Sequence, residues 1–230
     1  MDYDSDGRLD FLTGSISGKV YLYRRKPNGA FLEPEVLLQQ TRGLLGSGRT
    51  ALNVGSPSAV AMADWFGSGK LDLFVGNGEG HVYVFRNQGT RQKPVFKDSE
   101  RLKAGDRTIV ADGGYAGPFV ADWDGDGKLD LVVGCGSGRV VWYRNIGSAG
   151  HPVLAEGITL VDPLPANFAR DKELLRNPNR SGQNAKVCVC DWNGDGLPDL
   201  VVGDYWNVGG KAHGWVWVYL RKPAEAAQAR

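Results

Sequence analysis

One acidic motif occurs four times in the chain, and this repetition restricts the fold more than any other property of the sequence. The third copy reads Asp-Trp-Asp-Gly-Asp-Gly-Lys-Leu-Asp-Leu-Val-Val-Gly over residues 122–134. The other copies begin at Asp2, Asp64 and Asp191, so the period is about 60 residues. That period is too long for ankyrin or leucine-rich units and fits one propeller blade per copy.

Short apolar runs around each motif predict four strands per blade. Strand one precedes the motif, at residues 59–63, 119–121 and 187–190. Strand two is its apolar end, at 71–75, 129–133 and 200–202. Strand three follows a glycine-rich turn, at 20–23, 82–85, 140–143 and 216–219. Strand four is predicted at 31–38, 95–102 and 153–161. The strand-three runs are apolar at every position, so both faces of these sheets should be covered.

The sequence therefore predicts an all-β fold, a β-propeller of four-stranded antiparallel blades over residues 1–230. The first repeat begins on its acidic loop and the last stops after strand three, which leaves about three and a half to four blades. We expect either a partial propeller or one that a second copy of the chain completes. A closed four-bladed ring is the less favoured arrangement.

The acidic loops predict cation sites. Carboxylates at motif positions 1, 3, 5 and 9, glycine at position 6 and the carbonyl of position 7 form an oxygen-ligand layout that suits Ca²⁺ better than Mg²⁺. About three calcium sites are expected. The predicted ligands come from three loops: Asp2, Asp4, Asp6, Arg8 and Asp10; Asp122, Asp124, Asp126, Lys128 and Asp130; Asp191, Asn193, Asp195, Leu197 and Asp199.

The loop at residues 64–72 departs from the pattern. Phe66 and Ser68 replace two carboxylates, so we expect no metal there and a turn held by packing of Phe66. The alternative for all the loops is that their aspartates merely cap turns, where Asp and Gly are common. Three equivalent acidic loops favour calcium over that alternative.

Composition excludes several classes of protein. The 27 basic and 26 acidic residues leave a net charge of +1, which disfavours a general nucleic-acid binder. No apolar stretch approaches the roughly 20 residues that span a bilayer. The first residues, with Asp2, Asp4 and Asp6, do not resemble a signal peptide. Three cysteines are too few for a disulfide-built scaffold.

The motif at residues 122–134 resembles the FG-GAP/VCBS repeats of integrin-type β-propellers, and all four copies share this resemblance. The resemblance implies antiparallel four-stranded blades, with calcium held in the loop between strands one and two. It also implies an extracellular, cell-surface or periplasmic location in bacteria. The functions it implies are adhesion, carbohydrate binding, or service as the propeller of a polysaccharide lyase.

Ligand binding is expected on the face opposite the acidic loops. Long connectors at 42–58, 103–118 and 163–186 collect there, and variable loops on a rigid scaffold often carry function. The insertion at 203–215 contributes Tyr205, Trp206, Lys211 and His213, whose rings and polar groups suit sugars. The same residues could instead merely pack the loop. The neighbouring connector adds Phe168, Arg170, Asp171, Lys172, Glu173, Arg176 and Arg180.

Three functions remain open on the sequence alone. The favoured one is a calcium-stabilised binding module for polysaccharide or another glycan, with no catalytic residues assigned. The second is a polysaccharide lyase that uses the 203–215 insertion, with His213 and Tyr205 or Lys211 as base and acid. The third is a spacer or adhesion segment whose partner is a protein.

Overall fold

The computed structural model describes residues 1–43, 46–163, 182–208 and 211–223. These residues form β-strands joined by turns and bends, and no helix occurs among them. Accordingly, nothing in the described ranges forms a helix that could span a membrane. The all-β prediction is confirmed.

Four antiparallel sheets follow one another along the chain, and we number them blades 1 to 4 after the four motifs. Blade 1 has three strands: β1 (Phe11–Gly14), β2 (Val20–Tyr23) and β3 (Glu35–Val36). Blade 2 has four: β6 (Ala59–Ala63), β7 (Asp72–Gly76), β8 (Val82–Phe85) and β9 (Ser99–Arg101). Blade 3 has four: β12 (Gly117–Ala121), β13 (Asp130–Gly134), β14 (Val140–Tyr143) and β15 (Ile158–Val161). Blade 4 has three: β16 (Gln183–Cys190), β17 (Asp199–Val208) and β18 (Lys211–Tyr219).

The predicted blade plan is confirmed, because in every sheet the strands pair in chain order. Blade 1 lacks strand one and blade 4 lacks strand four among the described residues, as the repeats indicated. Two further hairpins follow strand four, one that runs from the end of strand four into the connector at 42–58 and one within the connector at 103–118. These are β4 (Leu38–Gly43) with β5 (Gly46–Ala51), and β10 (Lys103–Ala104) with β11 (Arg107–Thr108).

Strand four is shorter than the apolar pattern predicted. In blade 2 the prediction began at Val95, whereas β9 begins at Ser99. The intervening apolar residues bind other segments: the carbonyl of Val95 accepts from the Gln88 N–H at 2.9 Å, and that of Phe96 accepts from the Gln40 N–H at 2.8 Å. Val95 therefore pairs with the segment just after strand three of its own blade, whereas Phe96 pairs with β4 and packs in the buried cluster between blades 1 and 2.

The insertion at 203–215 is a β-ribbon and not the loop that we predicted. Strands β17 and β18 continue through it in unbroken register, from Gly203 opposite Val216 to Val208 opposite Lys211. Aromatic and β-branched residues such as Tyr205 and Val208 favour extended backbone, which explains why pairing continues.

Neighbouring blades pack through two faces, which we call trailing and leading. The trailing face meets the following blade; in blade 2 it contains Phe74, Val82 and Val84. The leading face meets the preceding blade; in blade 3 it contains Leu131 and Val133. These residues form one buried cluster, and similar clusters lie between blades 1 and 2 and between blades 3 and 4. The expected burial of both faces is confirmed in the two middle blades.

A glycine ends strand two because the next blade approaches it closely. A Cβ added to Gly76 would lie 2.1 Å from the carbonyl oxygen of Ala116, and one added to Gly134 would lie 2.3 Å from that of Ala185. Both distances are far inside van der Waals contact. The recurring motif glycine therefore sets the spacing between blades.

Among the residues that the structure describes, the four blades do not close into a ring. On the leading face of blade 1, Phe11 is 55% exposed, whereas its counterpart Leu73 in blade 2 is fully buried. On the trailing face of blade 4, Val216 is 71% exposed. Because these two faces do not cover each other, the described residues form an open arrangement and not the less favoured four-bladed ring.

A buried aspartate connects two parts of every blade. It occupies motif position 9, is at most 6% exposed, and is Asp10, Asp72, Asp130 or Asp199 in turn. One carboxylate oxygen accepts the backbone N–H of motif position 2, and the other accepts the N–H of the residue two places beyond strand three. In blade 2 these donors are Trp65 at 3.2 Å and Asn87 at 2.8 Å.

Burial raises the pKa of Asp72 and of Asp130, while the backbone N–H groups that each carboxylate accepts act in the opposite direction. The cost of burying the carboxylate is thus offset by several hydrogen bonds to the ionised form. These bonds hold the acidic loop against the end of strand three.

We expect Asp72→Ala to destabilise the chain by about 3 kcal/mol or more, because the change leaves several buried N–H donors without an acceptor. Denaturant unfolding measures the loss. Asp98→Ala, at an exposed position of the same blade, is the control and should change the free energy of unfolding by less than about 0.5 kcal/mol. Equal effects of the two changes would show that the buried carboxylate does not stabilise the blade.

Candidate functional site

The first aspartate of each motif caps its own loop. In blade 3, Asp122 Oδ1 accepts the Gly125 and Asp126 N–H groups at 2.8 and 3.1 Å, and Oδ2 accepts the Gly127 N–H at 2.9 Å. Gly127 has a φ of 83°, which favours glycine at motif position 6. Asp64 makes the same kind of cap in blade 2, to Ser68 and Gly69. The turn-capping role therefore occurs in every blade, including the one expected to lack metal.

Two of the acidic loops bring three carboxylates together. In blade 1 these are Asp2, Asp4 and Asp10, and in blade 3 they are the counterparts Asp122, Asp124 and Asp130; within each group one oxygen per residue lies within 4.8 Å of the others. Oxygens that bind one Ca²⁺ at 2.3–2.6 Å are at most about 5 Å apart, so both groups fit a single calcium ion.

The fifth-position aspartates bind basic side chains rather than joining these groups. Asp6 forms an ion pair with Arg8. Asp126 lies 3.1 Å from Lys128 Nζ and 3.2 Å from Arg144 Nη2. Although partial burial opposes the shift, the hydrogen bonds and charge of Lys128 lower the pKa of Asp126. The side chains of Arg8 and Lys128 are thus counter-ions, a role separate from the carbonyl ligation predicted for those positions.

An arginine that the sequence analysis did not assign faces the third motif position in three blades. It is the first residue after strand three. Arg24 pairs with Asp4, and Arg144 Nε lies 2.6 Å from Asp124 Oδ2. In blade 2 the guanidinium of Arg86 stacks on Phe66, 4.4 Å from the ring centroid. Arg24 and Arg144 offset the repulsion expected among the carboxylates, and the recurrence of arginine after strand three was visible in the sequence.

The loop of blade 4 differs from the other two predicted sites. Asp191 caps it as elsewhere, with Gly196 N–H at 2.9 Å, and Asp199 is buried. Asn193 Nδ2, however, donates to Asp195 Oδ2 at 2.9 Å. The Asn193 amide thus replaces the third-position carboxylate of the groups in blades 1 and 3. The first residue after strand three, which is arginine in the other three blades, is Leu220.

The predicted sugar-binding residues lie on the β17–β18 ribbon. The backbone of Trp206 pairs with that of His213, Lys211 pairs with Val208, and Tyr205 is 45% exposed. The connector residues predicted to contribute to this site lie outside the part of the chain that the structure describes. These connector residues are Phe168, Arg170, Asp171, Lys172, Glu173, Arg176 and Arg180.

Asp204 in the same ribbon has a structural role. Its carboxylate accepts the N–H of Trp215 at 3.0 Å, the N–H of Gly182 and the indole N–H of Trp217. These three hydrogen bonds connect the start of β16 to both strands of the ribbon.

Two grooves between blades were not predicted from the sequence. The groove between blades 2 and 3 encloses about 230 Å³. Its buried lining includes Trp65, Leu102 and Leu154, and the exposed side chains that line it are those of Glu100, Lys103 and Val153. An apolar floor is therefore bordered by one acidic and one basic group.

The groove between blades 1 and 2 encloses about 180 Å³ and is built from the equivalent positions. Tyr3, Leu37 and Phe96 replace Trp65, Leu102 and Leu154, and all three are buried. Glu35 corresponds to Glu100, since each pairs with the same place on strand three. Arg24 and Arg49 add positive charge. The sequence signal for these grooves was the triplet Pro-Val-Phe or Pro-Val-Leu, at 94–96 and 152–154.

Solved structures and a family model both match this chain. A lectin from Agrocybe aegerita, described as recognising non-reducing terminal N-acetylglucosamine, is 23% identical with a TM-score of 0.46. The match covers 96% of this chain and 50% of the lectin chain, so the chain spans half the length of that structure. No curated protein matches the chain.

The family comparison covers all four motifs. A model of the FG-GAP-like repeat matches residues 2–75, 64–133 and 122–202, and each match runs from one motif into the next. Together the matches extend over most of the chain and confirm the resemblance of its motifs. The chain belongs to the FG-GAP-like repeat family.

Proposed function

We propose that the chain is a calcium-stabilised β-propeller module that binds carbohydrate outside the cell or at its surface. The observation that carries the binding proposal is the pair of equivalent grooves between blades. The carboxylate groups of blades 1 and 3 support the calcium proposal.

Calcium would be held in blade 1 by Asp2, Asp4 and Asp10, and in blade 3 by their counterparts. The ion would supply positive charge to carboxylates that Arg24 and Arg144 neutralise in its absence. Calcium binding then competes with an existing ion pair, which favours the modest affinity typical of extracellular sites, about 10⁻⁴–10⁻³ M. A third ion in the blade 4 loop, where Asn193 would be a neutral ligand, is the weaker part of the proposal.

The grooves suit a sugar unit because they combine apolar floors with charged rims. Sugar rings present C–H faces to apolar surfaces and hydroxyl groups to donors and acceptors. In the groove between blades 2 and 3, Glu100 would accept and Lys103 would donate such hydrogen bonds. At 180 and 230 Å³ the grooves are smaller than the roughly 300–1,000 Å³ of drug-sized pockets, so each suits one small ring or chain end.

Two equivalent grooves in one chain favour multivalent glycans. Binding at one groove raises the effective concentration of the same glycan at the other, so weak single sites gain avidity. This property suits adhesion to a polysaccharide surface. The predicted site at Tyr205, Trp206, Lys211 and His213 remains a separate candidate on the β17–β18 ribbon.

Calcium should stabilise the chain against heat, since it binds carboxylates that are grouped only in the folded state. At ten to a hundred times the Kd, each site should contribute about 1–3 kcal/mol. We expect the unfolding midpoint to rise by about 3–10 °C per site, with a smaller response to Mg²⁺. Differential scanning calorimetry in EDTA and in rising calcium measures the effect.

Asp124→Asn should remove the share of this stabilisation that comes from blade 3. Ser68→Ala, in the loop of blade 2 that lacks the acidic group, is the matched control and should leave the calcium response unchanged. A wild-type midpoint that does not respond to calcium would refute the metal proposal. An equal calcium response in Asp124→Asn and wild type would show that the blade 3 loop does not hold the ion.

Carbohydrate binding should depend on the groove rims. We would screen the chain on an array of neutral, amino-sugar and uronic-acid glycans and measure the strongest ligand by isothermal titration calorimetry. The double variant Glu100→Gln, Lys103→Met should no longer bind glycan in the groove between blades 2 and 3, so the binding stoichiometry should fall from two sites to one. Loss of one charged hydrogen bond weakens a site by about 1.5–3 kcal/mol.

The control for this prediction is Glu156→Gln, an exposed position that lines neither groove. The control should retain both sites. Unchanged binding by the double variant would exclude this groove, and release of unsaturated sugar products would favour the lyase instead.

A further inference from the structure

The trailing face of blade 4 has the composition of the other trailing faces but is uncovered. Val20, Val82 and Val140 begin strand three in blades 1 to 3 and are at most 1% exposed. Their counterpart Val216 is 71% exposed, and Val218 on the same face is 38% exposed. The face therefore presents to solvent the apolar residues that the other blades bury against a neighbour.

The aromatic residue at motif position 2 shows the same contrast. Tyr3, Trp65 and Trp123 are between 4% and 9% exposed, because the following blade packs on them. Trp192 in blade 4 is 61% exposed. An exposed indole beside an apolar sheet face is typical of surfaces that bind another protein.

The contact that covers Trp123 shows what Trp192 lacks. Arg221, two residues beyond strand three of blade 4, places its guanidinium 5.0 Å from the Trp123 ring centroid and donates to the Trp123 carbonyl. The equivalent residue of blade 1 is Arg25, since its N–H binds Asp10 as that of Arg221 binds Asp199, at 2.8 and 2.7 Å. Blades 2 and 3 carry asparagine at this position.

The leading face of blade 1 is exposed as well. Phe11 is 55% exposed, whereas its counterparts Leu73, Leu131 and Leu200 are at most 3% exposed. Its ring contacts Tyr23 on the same face, with 5.8 Å between the centroids. Blade 1 thus offers the apolar surface that blades 2 to 4 bury against a trailing face, and it offers an arginine beside that surface.

We propose that the trailing face of blade 4 binds the leading face of blade 1 in a second copy of the chain. Arg25 of the second copy would lie on Trp192 as Arg221 lies on Trp123, and Phe11 would pack against Val216 and Val218. The interface is a continuation of the packing between blades, and its arginine and indole are the pair already used between blades 3 and 4.

Such an interface joins two different surfaces, so it is heterologous. Two copies with two interfaces would form a closed ring of eight sheets, which lies within the four to eight blades of known propellers. The association is independent of glycan or calcium binding, and its test does not require either.

Light scattering coupled to size-exclusion chromatography, over a wide range of chain concentrations, tests the proposal. The chain has a mass of 24.9 kDa, and we expect twice that mass at high concentration. Trp192→Glu and Arg25→Glu should each give monomers. Both residues are exposed, so circular dichroism and unfolding midpoints should show folded variants. Ile146→Glu, which is 57% exposed in wild type and lies on neither terminal face, should remain dimeric.

Mixing the two variants separates the head-to-tail interface from a symmetric one. Trp192→Glu retains its leading face and Arg25→Glu retains its trailing face, so the mixture should recover dimers through the one intact interface. Disruption by Trp192→Glu alone, with Arg25→Glu unaffected, would mean that two blade 4 faces meet and would overturn the proposal. A wild-type monomer at every concentration would overturn it as well.

Thiol labelling gives a second measurement. Cys188 is exposed and pairs with Val201 on the trailing face, whereas Cys135 is buried. In a Cys190→Ser background, maleimide should label Cys188 more slowly at high chain concentration than at low. The Trp192→Glu variant should remove this dependence. A labelling rate that does not change with concentration would contradict the proposed coverage of this face.

Discussion

Each blade depends on a buried carboxylate that binds backbone at two distant places. Asp72 has this structural role alone, because its loop lacks the group of three carboxylates found in blades 1 and 3. The loop and the end of strand three carry N–H groups that strand pairing leaves unsatisfied. One aspartate satisfies both ends, and the blade acquires a fixed spacing between its acidic loop and its third strand.

The candidate metal sites are built on this arrangement. In blades 1 and 3 the same aspartate also belongs to the group of three carboxylates, so the loop is shaped before any ion arrives. The first aspartate caps the turn and the third-position aspartate pairs with an arginine. Blade 2 retains the cap and the buried aspartate while Phe66 and Arg86 stack where the charge pair would be. The structural roles of the motif and its proposed metal-binding role are therefore separable by residue.

Much of the fold followed from the sequence because its signals are local. Strand three was predicted at Val20–Tyr23, Val82–Phe85 and Val140–Tyr143, and each is confirmed, since glycine turns and continuous apolar runs mark both ends. The prediction of strand four was too long because the apolar residues Val95 and Phe96 pair with other segments, near Gln88 and Gln40, and not with strand three. The ribbon at Asp199–Val208 and Lys211–Tyr219 was predicted as a loop because its length, and not its strand-forming composition, dominated the interpretation.

The sites were harder to predict because they join residues from different repeats. The grooves combine strand four of one blade with the Pro-Val segment of the next, about 50 to 60 residues further along the chain. The arginines after strand three reach back some 20 residues to the acidic loop. Single-repeat patterns contain neither relation, although comparison of the repeats with one another exposes both.

The motif glycine has a consequence for how such a chain changes in length. Gly76 and Gly134 each meet the backbone of the following blade, so every repeat carries both its own internal connection and the contact for its successor. Duplication or deletion of a whole repeat preserves each of these junctions. A gain or loss of a partial repeat would separate a glycine from the carbonyl that it meets, so only changes by whole blades leave the packing between blades intact.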